Sequence, residues 1–341
     1  MKKQMIVFIL IVCCLQVLSL SQTKNSAADL YERANKKYGL NDYQGAIADF
    51  TEAINLKPDF TDAFYGRGHA KSTLNDYQGA IADYTEAIKL KPDYVDAYNN
   101  RGYAMSELKD YQGAIADYTK VIDLKSDDAY AYYNRGYAKV ALKDYQGAIA
   151  DYTEAIKLNP DYLHAYYDNG KAKVELKDYQ GAIADFTELI KLSPDNAYAY
   201  YNRGNAKSNL NDYQGAIDDF TEATKLKPDY IDAYYNNGRA KYKLNDYQGA
   251  VTNFSKAIEL KPNYAEAYNN RGIAKSDLKD FQGAINDFTY ALGLKPNDAY
   301  AYYGRGRTFL MANQKNEAVT DFRKAIELGC PVPQDTLNMC K

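Results

Sequence analysis

Apolar residues along this chain lie at helical spacing, in two short runs that recur with a constant phase. In residues 61–94, the first run places on one helix face Phe64, Gly68, Lys71 and Leu74. The second run places on a broader face Tyr77, Ala80, Ile81, Tyr84, Ala87, Ile88 and Leu90. The pattern predicts two antiparallel helices of about 13 residues each, neither of which could bury its apolar face alone.

Polar residues and proline mark where these helices begin and end. Asn75 and Asp76 separate the two runs, and Asp76 is a good N-cap for the second helix. Pro92 ends that helix, and Asp93 is placed to cap the first helix of the next copy. Tight turns are therefore expected within each copy and between copies.

The whole pattern returns every 34 residues, and no copy gains or loses a residue. Stacked units need such phasing, because one inserted residue would rotate a helix out of register with its neighbours. The glutamine of the motif marks the phase at Gln44, Gln78, Gln112, Gln146, Gln180, Gln214, Gln248 and Gln282, and the ninth copy has Asn316 there. The nine copies are 27–60, 61–94, 95–128, 129–162, 163–196, 197–230, 231–264, 265–298 and 299–332. Residues 22–26 are then a linker, and 333–341 are expected to form a capping tail.

Small residues recur at two positions of the repeat, and we call each set of positions 34 apart a column. Glycine in a helix costs about 1 kcal/mol relative to alanine, so a glycine column needs a packing reason. It consists of Gly68, Gly102, Gly136, Gly170, Gly204, Gly238, Gly272 and Gly306. The second helices carry an alanine column, of which Ala80 is one member. We expect the two columns to meet and let the helices approach closely, with Phe64, Leu74 and Tyr84 filling space around the crossing.

These residues resemble the tetratricopeptide repeat (TPR) family. In residues 61–94 the matching positions are Phe64, Gly68, Ala80, Tyr84, Ala87 and Pro92. The departures in other copies are Ala34, Val121, Ser126 and Leu189. The resemblance implies an all-α, right-handed superhelical solenoid of nine helix-turn-helix repeats, with the first helices lining its concave side.

The charge pattern argues against nucleic acid as a partner. The net charge is −3, and acidic and basic residues are interleaved. No basic stripe could follow a phosphate backbone. Tyrosine, with 36 copies beside no tryptophan, is the compositional outlier.

The first residues have the order of a secretory signal peptide. Lys2 and Lys3 precede an apolar run from Met5 to Leu20, and Ser19 and Ser21 suit cleavage before Gln22. The run is shorter than the roughly 20 apolar residues that span a membrane. We therefore expect residues 1–21 to be a signal peptide and the protein to be exported, to a periplasm or outside the cell. An uncleaved signal that anchors the chain in a membrane is the alternative.

Two cysteines remain after such cleavage. Cys330 and Cys340 are candidates for a disulfide in an exported protein. A straight helix between them would hold them roughly 10 Å apart, and a disulfide needs Cα atoms within about 7 Å. The tail must fold back for the bridge to form, so the pairing stays open.

Two polar columns just before the glycine are not explained by the core. One consists of Tyr65, Tyr133, Tyr167, Tyr201, Tyr235 and Tyr303, with Asn at 99 and 269. The other consists of Asn100, Asn134, Asn202, Asn236 and Asn270, with Gly66, Asp168 and Gly304 as exceptions. The TPR resemblance implies that both columns face the inner groove, where Asn can bind the N–H and C=O of an extended peptide. Alternatively, Asn tolerates a polar inner face or caps internal bonds.

One turn after the Tyr column lies a variable position. It becomes basic at Lys171, Arg239 and Arg307, which suggests a ligand with an acidic end. The chaperone-tail clamp of some TPR proteins needs Lys where this chain has Tyr or Asn, so binding of Hsp70 or Hsp90 tails is not expected. Arginines such as Arg67 recur with aspartates such as Asp83, and an Arg–Asp bridge between the helices is preferred over contact with a ligand.

Catalysis finds little support in the sequence. The only histidines, His69 and His164, lie on different copies, so neither a metal site nor a His-based triad is expected. No cofactor is implied, and the repeats leave no stretch long enough for a catalytic domain. The sequence favours a non-catalytic exported scaffold that binds a protein or an extended peptide. The alternatives are binding of envelope glycans, since Tyr and Asn also suit sugars, and a structural spacer.

Overall fold

A computed structural model describes residues 26–339, and these residues form helices joined by short turns, without a strand. The predicted signal peptide and nearly all of the linker lie outside the described residues. Among the helices that are described, none is long and apolar enough to cross a membrane. The all-α class and the helix pairing predicted from the sequence are confirmed.

The chain divides into two compact units at residues 159 and 160. The first unit contains repeats 1–4, and its helices are α1 (Ala27–Gly39), α2 (Tyr43–Leu56), α3 (Thr61–Thr73), α4 (Tyr77–Leu90), α5 (Val95–Glu107), α6 (Tyr111–Leu124), α7 (Ala129–Ala141) and α8 (Tyr145–Leu158).

The second unit contains repeats 5–9 and the tail. Its helices are α9 (Leu163–Glu175), α10 (Tyr179–Leu192), α11 (Ala197–Asn209), α12 (Tyr213–Leu226), α13 (Ile231–Lys243), α14 (Tyr247–Leu260), α15 (Ala265–Asp277), α16 (Phe281–Leu294), α17 (Ala299–Met311), α18 (Lys315–Glu327) and α19 (Gln334–Asn338). Within each unit, a second helix packs on the first helix of its own repeat and on that of the next repeat.

In repeats 1–8 an aspartate caps the second helix, and a glycine stands three positions after it. Asp76 Oδ1 accepts a hydrogen bond from Gly79 N at 3.0 Å, as predicted. A Cβ at Gly79 would lie 2.3 Å from the Asp76 carboxylate, so a larger residue there would displace this side chain from its present position. Repeat 9 has Glu317 in place of that glycine, and its N-cap, Gln314, makes no capping bond.

The predicted capping role of Asp93 is wrong. The residue that precedes α5 is Tyr94, which makes no side-chain cap, so Asp93 lies one position too early. Capping by a side chain does occur where an Asp or Asn stands directly before the first helix, as Asp128, Asn196 and Asp298 do.

The glycine column was assigned to the wrong partner. A Cβ at Gly136 would lie 2.8 Å from the ring of Tyr152, and the other members of the column face the equivalent buried Tyr or Phe. Glycine therefore makes room for an aromatic ring of the second helix, and not for the alanine column. Leu74 and Leu90 are also 39% and 41% exposed, so they lie at the edge of the core that they were expected to fill.

Arginine and aspartate form the predicted bridge, and it also links neighbouring repeats. Arg67 donates to Asp83 through Nε and Nη2 at 3.0 and 2.6 Å, while its Nη1 donates to Thr51 of the preceding repeat at 3.1 Å. Lys71 Nζ lies 2.8 Å from the same carboxylate, which is buried. The same Arg–Asp bond forms in the other copies that carry both residues, through Arg33, Arg101, Arg135, Arg203, Arg271 and Arg305. These arginines are thus structural.

The C-terminal tail contains the short helix α19, which buries no side chain. Cys330, four residues before this helix, is buried. Cys340 lies outside the described residues. The capping role of the tail and the Cys330–Cys340 bridge stay predictions.

Each turn within a repeat also contains a left-handed residue, with φ between 62° and 64°. Lys143 occupies this position in repeat 4, and its backbone is strained there because a left-handed residue brings its Cβ close to the following carbonyl oxygen. We expect Lys143→Gly to stabilise the chain by about 0.5–1 kcal/mol, because relief of strain exceeds the entropy cost of glycine. Chemical denaturation of both chains measures the difference.

Asn75→Gly is the matched control. Asn tolerates this conformation, and Asn75 Oδ1 also accepts a hydrogen bond from Tyr77 at 2.9 Å. The stability of the control variant should not increase. An equal increase in stability in both variants would contradict the strain argument.

Candidate functional site

The Tyr and Asn columns lie side by side on the first helices and bond to each other between repeats. Asn100 Nδ2 donates to Tyr65 OH at 2.8 Å, and Asn270 Nδ2 donates to Tyr235 OH at 2.7 Å. Asn236 Nδ2 donates in the same way to Tyr201 OH at 3.2 Å. We call each pair a rung. We call the two columns, together with the variable position one turn later, the ladder surface.

A rung fixes its side chains but uses only part of their hydrogen-bonding capacity. Burial raises the pKa of Tyr65 and of Tyr235, so both phenols stay protonated at neutral pH. In these two rungs the phenol accepts from Asn, which leaves its own O–H as a donor. The amide oxygens of Asn100 and Asn270 accept no hydrogen bond from the described residues. Each rung thus presents a donor and an acceptor.

Rungs form only where both columns keep their residue. Asn134 follows Asn99 rather than a tyrosine, and its Nδ2 donates to Tyr130 O on its own helix at 2.9 Å. Asn202 donates mainly to its own helix, at 2.7 Å to Tyr198 O, and reaches Tyr167 OH only at 3.5 Å.

The tyrosine rings of the ladder surface are half-buried. They pack against the buried aromatic residues of the second helices, with ring centroids 5.7 Å apart for Tyr133 and Tyr152 and 6.0 Å apart for Tyr303 and Phe322. The Tyr column is therefore partly structural, and its hydroxyl groups are the parts available to a ligand.

The three basic candidates are exposed, each on the first helix of its repeat. Lys171 Nζ lies 5.2 Å from the ring centroid of Tyr167 and 3.9 Å from Asp168 Oδ1. The Arg239 guanidinium lies 5.9 Å from the ring centroid of Tyr235. Arg307 lines a small cavity with Ile273 and Asp277.

Two larger cavities adjoin Arg239. One, of about 200 Å³, lies between the first helices of repeats 6 and 7 and is lined by Asn205, Ser208, Asn209, Tyr213, Asn236, Arg239, Ala240 and Lys243. The other, of about 230 Å³, lies between repeats 7 and 8 and is lined by Arg239, Tyr242, Lys243, Phe254, Asn270 and Ile273. Rung asparagines and a basic side chain thus line the same hollows.

The first unit has a cavity of different chemistry on its ladder surface. It measures about 380 Å³ and is lined by His69, Ser72, Thr73, Asn75, Tyr77, Asn100, Tyr103 and Tyr130. The His69 ring stacks on Tyr38 and Tyr65, with centroid distances of 5.1 and 6.1 Å. Burial there lowers the pKa of His69, so its imidazole is neutral at pH 7.

The sequence did not single out Asn205 or Lys243 as site residues. Asn205 stands in the variable column that was searched only for charge. Lys243 stands one helical turn beyond that column, where the equivalent residues Asn209 and Asp277 also differ. Comparing that further column across the copies would have found it. Within residues 26–339, no group of three His, Cys, Asp or Glu side chains is placed to hold a metal.

These features define an α-helical repeat protein whose candidate site is built from side chains at equivalent positions of successive copies. Family models agree with this class. The model described as TPR repeat matches residues 72–109, 106–143, 170–210 and 238–279. Models described as tetratricopeptide repeat match 129–162, 197–230 and 270–329. The chain belongs to the tetratricopeptide repeat family.

Solved TPR structures are similar to this chain. A tetratricopeptide repeat protein from Parabacteroides merdae ATCC 43184 is 18% identical with a TM-score of 0.52, over 73% of this chain and 98% of its own. YrrB, described as a TPR protein with an unusual peptide-binding site, is 24% identical with a TM-score of 0.50, over 54% and 95%. MamA is 27% identical with a TM-score of 0.48, over 49% and 92%. No curated protein matches the sequence.

Proposed function

We propose that this chain is an exported, non-catalytic scaffold that binds an extended stretch of polypeptide on its ladder surface. TPR proteins are generally scaffolds for proteins or peptides, and the chain belongs to that family. Peptide binding of the kind named for YrrB is the class of interaction that we propose for this chain. Export rests on the order of residues 1–21, and the N-terminal sequence of the protein purified from its source cells would test it.

The observation that supports a polypeptide ligand is the pair of groups that each rung leaves unused. An extended chain offers alternating N–H donors and C=O acceptors, whatever its side chains are. The Asn270 amide oxygen and the Tyr235 O–H are an acceptor and a donor held in place by their mutual bond at 2.7 Å. Preorganised groups of this kind lose little entropy on binding.

The second helices offer a different surface. Exposed lysine and glutamate side chains pair there along the helix, as Lys89 does with Glu86 at 2.6 Å and Lys191 with Glu188 at 2.6 Å. Such pairs belong to a solvated face. The ladder surface is therefore the better candidate for ligand contact.

The test changes two rungs of the second unit. We expect the double variant Asn236→Ala and Asn270→Ala to bind peptides at least about tenfold more weakly, because each lost hydrogen bond contributes about 1 kcal/mol. The probe is an array of mixed-sequence dodecapeptides, incubated with the full chain.

The matched control replaces two exposed asparagines on second helices of the same unit, Asn286 and Asn316, by alanine. The control should bind like the unchanged protein. Equal binding by the rung variant, with its helical content intact, would show that the rungs are not the site.

One observation favours glycan binding as a second candidate. The cavity at His69 combines the aromatic rings of Tyr103 and Tyr130 with the amide of Asn100, a combination that suits sugars. A glycan array incubated with the same protein separates the candidates. A chain that binds neither array would be a spacer.

A further inference from the structure

The first helix of repeat 7, α13, carries three basic residues that form no ion pair with any described residue. They are Arg239, Lys241 and Lys243, two positions apart along the helix. Many basic groups of the second unit do form ion pairs, as Lys207 does with Asp219 at 2.8 Å. Repeat 7 is thus a local excess of positive charge.

A change in the core of repeat 7 leaves Lys241 without the partner that its equivalents have. In six other repeats, the lysine equivalent to Lys241 pairs with the buried aspartate of the second helix. Repeat 7 has Asn253 in place of that aspartate and Asn237 in place of the arginine. Asn253 Nδ2 donates to Gly249 O at 2.9 Å, so this position offers Lys241 no carboxylate. Because an arginine is replaced together with the aspartate, the exchange leaves the net charge unchanged, and its effect is that Lys241 is unpaired.

The excess charge adjoins an open binding space. Arg239 and Lys243 line both cavities described above, so the two hollows lie on either side of the same two side chains. Asn236 flanks the first cavity and Asn270 the second, and both are rung residues. A ligand that follows the rungs would pass over Arg239 and Lys243.

Four of the carboxylates nearby are already engaged, and Asp232, whose charge reaches Tyr201, stands seven positions before Arg239 on α13. Asp212 and Asp246 accept from backbone N–H groups at helix starts, at 3.0 and 2.9 Å. Asp277 accepts from Tyr242 OH at 2.7 Å. Glu266, whose charge reaches Tyr235, is paired with Lys295. The guanidinium of Arg239 and the ammonium of Lys243 therefore remain available to an anion from outside.

We propose that the cavities beside Arg239 and Lys243 bind a carboxylate of the polypeptide ligand, from an Asp or Glu side chain or from a free C-terminus. Two monovalent cations in hollows of about 200 and 230 Å³ suit one carboxylate rather than a polyanion. The inference rests on the proposed function, because the rungs place the ligand backbone on either side. It adds the class of residue that the ligand must carry at repeat 7.

The experiment uses the dodecapeptide array, synthesised once with free C-terminal carboxyl groups and once with C-terminal amides. The full chain should prefer peptides that contain Asp or Glu, or only those with a free C-terminus, and the two arrays tell the sources apart. The double variant Arg239→Glu and Lys243→Glu should bind the preferred peptides at least tenfold more weakly, and its loss of affinity for neutral peptides should be much smaller.

The control makes the same charge change elsewhere. Arg323→Glu with Lys315→Glu alters two exposed residues of α18 that line neither cavity, and it should keep the preference. Binding that needs the rungs but shows no preference for carboxylates, or a preference for phosphorylated peptides alone, would overturn this inference and leave the proposed function standing. Absence of rung-dependent peptide binding would overturn both.

Discussion

Replacing Asp219 by Asn is expected to destabilise repeat 6 by about 3 kcal/mol, since it removes one partner of a buried ion pair. Asp219 is 3% exposed and accepts from Arg203 Nη2 at 2.6 Å and Nε at 3.0 Å. The variant leaves the guanidinium of Arg203 desolvated and without its counter-charge. Arg203 also donates to Thr187 of repeat 5 at 3.2 Å, so the damage extends to the contact between the two repeats.

Urea denaturation of the full chain, together with hydrogen exchange in α11 and α12, measures this loss. A repeat array is stabilised by each unit and by its contacts with neighbours, so one weak repeat should also reduce the cooperativity of unfolding. An unchanged denaturation midpoint and unchanged exchange would contradict the argument.

Repeat 7 supplies a matched rescue. Asn237 and Asn253 replace both partners there, and Asn237 Nδ2 keeps the bond to the preceding repeat, to Thr221 at 3.1 Å. The double variant Arg203→Asn and Asp219→Asn should therefore be more stable than Asp219→Asn alone, because the guanidinium is no longer left unpaired and only Lys207 loses its partner, as Lys241 does in repeat 7.

Asp185 is the control at an equivalent position. Repeat 5 lacks the arginine, and burial raises the pKa of Asp185 even though Lys173 Nζ lies 2.7 Å away. An aspartate with a raised folded-state pKa favours folding below its ordinary pKa, and this contribution is lost as the pH rises through the folded-state pKa. Asn resembles the protonated carboxyl group, so at pH 7 Asp185→Asn should change stability by about 1 kcal/mol or less.

The repeat phase predicted most of the fold, because a period of 34 residues aligns the chain with itself. The helix pairs, the Asp76 cap and the Arg–Asp bridge all follow from residues that are close in the repeat. Partners across the helix crossing were harder to predict. Gly136 was matched with alanine on size alone, while its actual partner is the ring of Tyr152, 16 positions later. The hydroxyl groups that accept hydrogen bonds from these arginines, such as those of Thr51 and Thr187, were not predicted, because threonine in a helix looks like an ordinary surface residue.

The sequence predicted the candidate site as sets of equivalent residues, and such sets do not show which side chains bond to each other. The bond of Asn270 to Tyr235 depends on a tyrosine 35 positions earlier, and Asn134 lacks that tyrosine and turns to its own helix. The unpaired charge at Arg239 and Lys243 likewise depends on which carboxylates reach them in space. Repeat phase shows which residues are equivalent, and only the packing shows which of them remain available.

Replacing Gly204 by Ala is expected to destabilise the chain by up to about 2 kcal/mol, although alanine is the better helix former. The new Cβ would lie 2.8 Å from Cε1 of Phe220, a fully buried ring, so the ring or the helix must shift. Overpacking of this kind costs about 1–3 kcal/mol, and the gain in helix propensity offsets about 1 kcal/mol of it. Gly293→Ala should have the opposite sign, because no atom lies within 4 Å of its Cβ and α16 is helical there. Thermal and urea denaturation of the two variants measures the contrast.

A second test combines two changes. Phe220→Leu should reduce stability less in the Gly204→Ala background than in the unchanged chain, because a smaller side chain relieves the contact. A stabilising Gly204→Ala, or additive effects of the two changes, would mean that the glycine column does not serve the aromatic ring.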